Sequence, residues 1–520
     1  MKAMSDVIRE SLLRWSALAF GALAVSACTT LGPDYREPEV EWLGRWQEAA
    51  SSRSADTKEK SEADLHFWWR RFNDPVLNRL IDTAKRDNPS LHIAGLRILE
   101  SRAQQGIAGS ALYPQVQQGS GAATYVHTEQ SGSGDQSQVG YQLGFNLAWE
   151  LDFWGRFRRA VESADAAFFS SVANQQDLQV LISSQVADLY FAHRVAETRI
   201  AITRKNVAIQ KRSFEITERK FKGGEESELD FQQARTQYLA TLSSIPQLEL
   251  SLRNTRNALC VLLGRPPGHL PELDGETREL PAIDASAGEG IPVQLLARRP
   301  DIRSAAWQVA TQSAQIGIAE ADYYPAISLL GALGWSGSSL SGVPNVGSLS
   351  IGPAFRWNLF DHGLIANNVR LQDARLQQLI ENYQSTVLLA AREVDDAATS
   401  VAKSAEQQTI LDESVDAAAR ALAIANTRYR EGYADFQRVL DAQRALFAQE
   451  EKQLLNRGSH ISAIIALYKG LGGGWQATDI GQLIPGEVRR SMGERSDWGD
   501  LLDAPLPETP RKATGQMPNE

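Results

Sequence analysis

The residue whose chemistry is most sharply placed is Cys28. It closes the run Val25-Ser26-Ala27-Cys28, preceded by Lys2, Arg9 and Arg14 and by the short apolar stretch Trp15 to Ala27. A basic start, an apolar run too short to span a bilayer and a small-residue box ending in cysteine together describe an export signal. In such a box the thiol is diacylated before cleavage leaves it at the mature N-terminus. The expected chemistry is therefore a lipid anchor at Cys28, with residues 1–27 as the lipoprotein signal peptide. Thr29 stands where an aspartate would signal retention at the inner membrane, so the bacterial outer membrane is the expected address.

Other candidates for chemistry come to little. The seven histidines are scattered, with no pair at metal-ligand spacing. Neither a nucleophile elbow nor a phosphate-binding loop occurs. Asp395-Asp396 falls inside a long helical pattern and reads as a solvated face. No catalysis, no metal and no cofactor are expected. Cys260, in the apolar helical run Ala258 to Leu263, reads as a small buried residue. A net charge of -10 without a basic block argues against a nucleic-acid partner.

Organisation is the informative property. Tyr141, Leu143, Phe145, Leu147, Trp149 and Leu151 alternate with polar or small residues, the pattern of a strand with one oily face. After Gly155 the period changes, and no proline follows until Pro246. One helix is expected to about Phe221, on the order of 100 Å at ~1.5 Å per residue.

The order recurs. Asn88-Pro89 and Tyr113-Pro114 are matched 211 positions later by Arg299-Pro300 and Tyr324-Pro325. From Gly144 onward the offset is 208: Gly144 with Gly352, Trp149 with Trp357, Gly155 with Gly363, Phe221 with Tyr429, Gly224 with Gly432. A constant offset over this length is a tandem duplication, with the length change confined to a loop between strands.

The expected divisions follow. Residues 28–66 form an extended N-terminal arm, and 67–264 the first repeat, with strands at about 115–127 and 139–153. A linker occupies 265–297. Residues 298–475 form the second repeat, with strands at about 326–336 and 348–360, and 476–520 a polar, poorly ordered tail. Pro353 predicts a bulge or a position with its amide side free. The second long helix, about Leu364 to Tyr429, carries Val369, Leu376, Tyr383, Ala390 and Ala397 every seven residues, a coiled-coil seam; the first is less regular. Each long helix ends at a glycine turn and is followed by a returning helix.

No apolar run of membrane-spanning length occurs in the mature chain, so a crossing requires a closed barrel. Four strands are too few for one, and several chains must share it. Tyr113, Trp149, Phe153 and Trp154 in one copy, and Tyr323, Tyr324, Trp357 and Phe360 in the other, cluster where strands meet helices. These are the positions of an interfacial aromatic girdle.

These residues resemble the outer-membrane efflux proteins of the TolC/OprM/NodT kind over roughly Trp68 to Trp475. The likeness rests on Trp68-Trp69 with Asp74-Pro75, Asn88-Pro89, Tyr113-Pro114, Arg298 to Ile302, Tyr324-Pro325, Arg428 to Gly432, Leu440 to Arg444, and Tyr468 to Gly474 followed by Trp475. It implies an α+β membrane protein: a homotrimer whose 12-stranded β-barrel, four strands per chain, continues into a long periplasmic α-helical barrel built from two tandem repeats. It further implies a periplasmic adaptor (membrane fusion protein) and an inner-membrane transporter of the resistance-nodulation-division type. The function implied is a passive outer-membrane exit duct for drugs or other small toxic solutes. Protein secretion of type I, and a lipid-anchored coiled-coil scaffold without a pore, are the alternatives.

In that family the helix tips form the closed periplasmic end and meet the adaptor. The matching positions here are Phe221 to Ser227, including Gly224, and Tyr429 to Asp435, including Arg430 and Gly432. A constricting carboxylate ring would fall on Asp441, with Arg444 as partner. Arg438 and Ala434 replace a second acidic ring and a gating arginine of TolC, so those features are not carried over. Ala306 replaces a glutamate common in the family.

Overall fold

The computed structural model describes residues 30–40, 65–130, 133–275, 280–281, 298–338 and 346–507. Cys28, the signal segment and most of the linker lie outside these residues.

Repeat 1 contains α1 (Pro75–Asp87), α2 (Pro89–Ser110), β1 (Val116–Gln130), β2 (Ser133–Leu151), α3 (Arg156–Lys222) and α4 (Glu228–Leu262). Repeat 2 contains α5 (Pro300–Glu320), β3 (Ala326–Gly337), β4 (Val346–Arg356), α6 (Leu364–Arg430) and α7 (Phe436–Gly470). The long helices α3 and α6 have 67 residues each, and the returning helices α4 and α7 have 35 each. Among the described residues no helix is long and apolar enough to cross a membrane.

Local chemistry explains the helix starts. Pro75 and Pro89 sit at first-turn positions, where no backbone donor is needed. The Asp74 carboxylate accepts from the amides of Val76 and Leu77, and the Asn88 side chain accepts from Ser90 and Leu91. Asn88 also donates through Nδ2 to the Leu262 carbonyl at 2.9 Å, tying the start of α2 to the end of α4. Arg299, its counterpart, donates through Nη1 to the Gly470 carbonyl at 2.7 Å. One repeat thus makes the bond with an amide and the other with a guanidinium.

The four strands form one antiparallel sheet in the order β1-β2-β3-β4. Pro353 faces Leu329 in unbroken register, so no bulge forms there; β4 is an edge of the chain's sheet. The strand stops at Arg356 and does not run on to residue 360. Asp361 takes over the chain, accepting from the amides of Gly363 and Ile365, with His362 at φ 52°.

The largest core cluster lies where the two hairpins meet α1. Trp68, Trp69, Leu77, Leu80, Ile81, Tyr190, Phe191, Leu259, Ile464 and Ile465 are almost fully buried. At ~1.5–3 kcal/mol for each fully buried large aliphatic side chain, this cluster helps fasten the two repeats together.

Two terminal segments wrap the upper helices. Residues 30–40 run across both repeats. The buried Arg159 of α3 donates to the carbonyls of Leu31 and Gly32 and pairs with Asp34 at 2.9 Å. Tyr35 enters a cluster with Ala306, Trp307, Tyr383 and Val387. Ala306 is buried in that apolar cluster, where a glutamate would have to be desolvated.

The second segment is a correction: the tail, expected to be poorly ordered, is folded through residue 507. It forms α8 (Ile480–Leu483), α9 (Gly486–Arg495) and a short 3-10 turn, Gly499–Leu502. Ile480, Ile484 and Met492 are buried against Ile98 and Leu99 of α2 and Phe168 and Val172 of α3. Arg102 reaches the carbonyls of Ala504 and Pro505.

Candidate functional site

Strand parity sorts the sheet into two chemically distinct faces. The paired positions Phe145, Leu333 and Leu349 lie on one face; so do Leu147, Gly331 and Ile351, and Leu151, Ile327 and Phe355. Many of these are widely exposed in the single chain, Leu349 and Ile351 at 71% and Phe355 at 76%. The opposite face carries Gln118, Ser120, Thr124, Gln142, Asn146, Ser328, Ser336, Ser348 and Ser350. An apolar outer band with a small, polar inner face is the arrangement of a barrel stave around a water-filled lumen.

The aromatics lie at the strand-to-helix junctions and repeat their contacts. Trp149 Nε1 donates to the Leu112 carbonyl at 3.3 Å, and Trp357 Nε1 to that of Tyr323 at 2.9 Å. Trp154 stacks on Tyr324 at 4.6 Å. Each indole has an apolar body and a satisfied polar edge, which suits a membrane boundary.

At the other end of the long helices both hairpin turns use the same device. Gly224 and Gly432 take φ of 77° and 80°, the left-handed region that closes a helix. The Glu225 amide returns to the Lys220 carbonyl and the Tyr433 amide to that of Arg428. Ser227 and Asp435 cap the returning helices.

The tips differ in what holds them. In hairpin 1, Phe231 stacks on Phe214 at 5.6 Å and on Phe221 at 5.4 Å. In hairpin 2, Tyr429 lies against Phe436 at 5.3 Å and reaches across to hairpin 1. Its hydroxyl accepts from Lys220 Nζ at 3.0 Å and donates to Glu226 Oε1 at 2.8 Å. Burial raises the Tyr429 pKa above the ordinary phenol range, keeping the hydroxyl protonated.

Arg430 and Gly432 are exposed, and Arg430 Nε donates within its own helix, to the Asn426 carbonyl at 3.2 Å. Asp441 is exposed on α7. It accepts from Gln437 Nε2 at 2.9 Å and lies 3.5 Å from Arg444 Nη1. Asp441 and Arg444 therefore meet, on a helix face apart from the Tyr429 cluster. Lys220 and Glu226 are the tip residues that sequence reasoning missed as Tyr429's partners. Their separation from Tyr429 in sequence leaves no local signal.

A second ionic cluster lies at the waist, where α3, α5, α6 and α7 converge. Arg299 makes a two-pronged bond to Asp301 and a 3.0 Å bond to Glu393. Asp177 faces this group across a cavity of about 190 Å³ that Lys469 also lines. Burial, and then the neighbouring Asp301, push the Asp177 carboxyl up to about 6. No group of three or more metal-ligating side chains forms among the described residues.

Comparison with known proteins agrees with this geometry. The profile of the family described as Outer membrane efflux protein matches residues 80–265 and 291–473. The solvent efflux pump outer membrane protein SrpC of Pseudomonas putida is 30% identical over 479 residues, 90% of this chain and 100% of that protein. The pyoverdine export outer membrane protein OpmQ of Pseudomonas putida is 28% identical over 465 residues, 88% of this chain and 96% of that one. The solved outer-membrane channel OprN has a TM-score of 0.76 and 33% identity, covering 86% of this chain and 99% of its own. With most of both repeats matched and the stave-and-helix architecture shared, the chain belongs to the outer membrane efflux protein family and is the outer-membrane channel of an efflux pump.

Proposed function

We propose that three copies close a 12-stranded barrel and a periplasmic helical tube, giving a passive exit duct for drugs or other small toxic solutes. The observation that carries this reading is a two-faced, four-stranded sheet whose second and fourth strands each lead through a short turn into a helix of 67 residues. Four staves cannot close alone, and three sets of four make an even-stranded barrel in the observed range.

The duct works with a periplasmic adaptor and an inner-membrane transporter of the resistance-nodulation-division type. The adaptor meets the tips at Phe221 to Ser227 and Tyr429 to Asp435. Three copies of Asp441 ring the tip as a constriction, each with Arg444 beside it, and mutual repulsion among close carboxylates makes the ring sensitive to what enters. The Lys220–Tyr429–Glu226 cluster holds the two hairpins of one chain together at rest.

Diacylated Cys28 anchors the chain in the outer membrane. Thr30 lies against Gly155, and the Leu31 amide donates to the Trp154 carbonyl at 3.2 Å, which supports a lipid at the level of the girdle.

Deleting the gene, then measuring drug and solvent susceptibility alongside the secreted proteins, tests the cargo class. Sensitisation with an unchanged secretome is expected. Unchanged susceptibility with the loss of a secreted protein would replace this reading with type I secretion.

A further inference from the structure

The inner face of the sheet is small and polar over its middle, with Val126 and Val346 at the end away from the helices. Among the described strand residues, its charged positions are Glu150 on β2 and Arg356 on β4. Glu150 has a cation nearby, Arg156 Nη1 at 4.0 Å, which also lies 3.2 Å from Asp322. Arg356 is exposed, and no described carboxylate comes within ion-pairing distance of it. Barrel closure does not supply one. The only strand that the next copy can bring to β4 is β1, and residues 101–128 contain no aspartate or glutamate.

Beside Arg356 the wall recedes into a cavity of about 330 Å³ lined by Val116, Glu150, Phe157, Leu330 and Ala354. Leu330 and Val116 are 44% and 40% exposed, apolar side chains beside the polar Ser328 and Gln118 of the same face. A free guanidinium next to exposed aliphatic surface matches an amphiphilic anion. The fork of Arg356 takes a carboxylate through two N–H donors, and the aliphatic wall takes an apolar body. The volume is that of a site for one small molecule.

We propose that this recess is a transit site for small aromatic or alkyl monocarboxylates leaving through the duct, with Arg356 binding the carboxylate and Val116, Leu330 and Phe157 the apolar part. Glu150, on the same wall, disfavours a second negative charge, so monoanions are preferred over dianions. The site rests on the reading of this face as the lumen.

The purified channel in lipid nanodiscs, probed with 4-fluorobenzoate by saturation-transfer NMR against empty nanodiscs, tests it without requiring the tip to open. Saturation of 4-fluorobenzoate at least fivefold above that of 4-fluorobenzylamine is expected. Arg356→Gln should abolish the difference, Arg356→Lys should retain at least half of it, and Leu330→Ser should reduce it. Equal binding of the cation, or undiminished binding by Arg356→Gln, would overturn the site. If Arg356→Gln does not assemble, the Lys and Ser variants and the cation comparison still decide. Labelling of Ser350→Cys and Leu349→Cys by a membrane-impermeant maleimide separates the two failures. A shielded Ser350→Cys with a labelled Leu349→Cys would sink the lumen reading itself and the site with it.

Discussion

The hydroxyl of Tyr429, at the foot of the second long helix, lies 3.0 Å from Nζ of Lys220 on the first. Lys220 also stands 4.7 Å over the Tyr429 ring, so one ammonium contacts both the polar and the aromatic part of the same side chain. Tyr429→Phe keeps the ring and its packing on Phe436 but removes the bonds to Lys220 and Glu226. Open probability in planar bilayers should rise several-fold, whereas Arg430→Gln, outside this cluster, should leave it unchanged.

Much of the fold was legible in the sequence because duplication writes the same chemistry twice. Asn88 and Arg299, or Trp149 and Trp357, announce their equivalence by spacing and then make equivalent bonds. Alternation at Tyr141 to Leu151 predicted the two faces, since parity alone decides which side chains share one. The Tyr429 cluster was not legible, because its members are brought together only by the pairing of two hairpins. Nor was the tail. Ile480, Ile484 and Met492 are sparse among polar residues, and their partners on α2 and α3 lie hundreds of positions away. The weaker heptads of the first helix have a structural counterpart: Thr203, Asn206, Gln210 and Thr217 are its buried seam residues near the tip. Over the equivalent stretch the second helix buries Leu411, and its other buried seam residues, Val387, Ala390, Ala397 and Val401, lie farther from the tip.

Asp177 gives the waist a pH dependence of defined sign. Its folded-state pKa, about 6, is raised above the ordinary 3.8, so the native state holds the proton more tightly than the unfolded chain. The stabilisation from this group is therefore present at low pH and is lost as pH rises from about 4 to 6. Arg299 and Lys469 oppose the shift, while Asp301 and Glu393 reinforce it. Asp177→Asn should raise the Tm of the purified channel at pH 7.5, by on the order of 1–2 kcal/mol of stability, and change it little at pH 4.5. A larger gain at pH 4.5 than at pH 7.5 would refute the assignment.

The arm depends on a close approach of two glycines. A Cβ on Gly317 would lie 2.4 Å from the Leu31 carbonyl oxygen, and one on Gly32 2.4 Å from Gly317 Cα. Gly317→Ala should unseat residues 30–40 at a cost of roughly 1–3 kcal/mol. Limited trypsinolysis at Arg36 should then be several-fold faster. Gly106→Ala, with open space around its added carbon, serves as the unaffected control.

Cys28→Ser should abolish incorporation of labelled palmitate. Because residues 30–40 bind both repeats by themselves, the unlipidated protein should still fold its helical part, as judged by unchanged helical circular dichroism of the purified protein. Palmitate incorporation that persists in the variant would place the anchor elsewhere or remove it.

If the small, polar face of the sheet surrounds an aqueous pore, water-soluble reagents reach that face and not the apolar one. Planar-bilayer recording of the channel carrying Tyr429→Phe and Asp441→Ala, with cysteine placed at Ser350 or at Leu349, tests it most directly. Stepwise conductance is expected, reduced by a thiol-specific cationic reagent in the Ser350→Cys channel and left intact in the Leu349→Cys channel. Conductance insensitive at Ser350→Cys but blocked at Leu349→Cys, or no conductance from any of these variants, would contradict it.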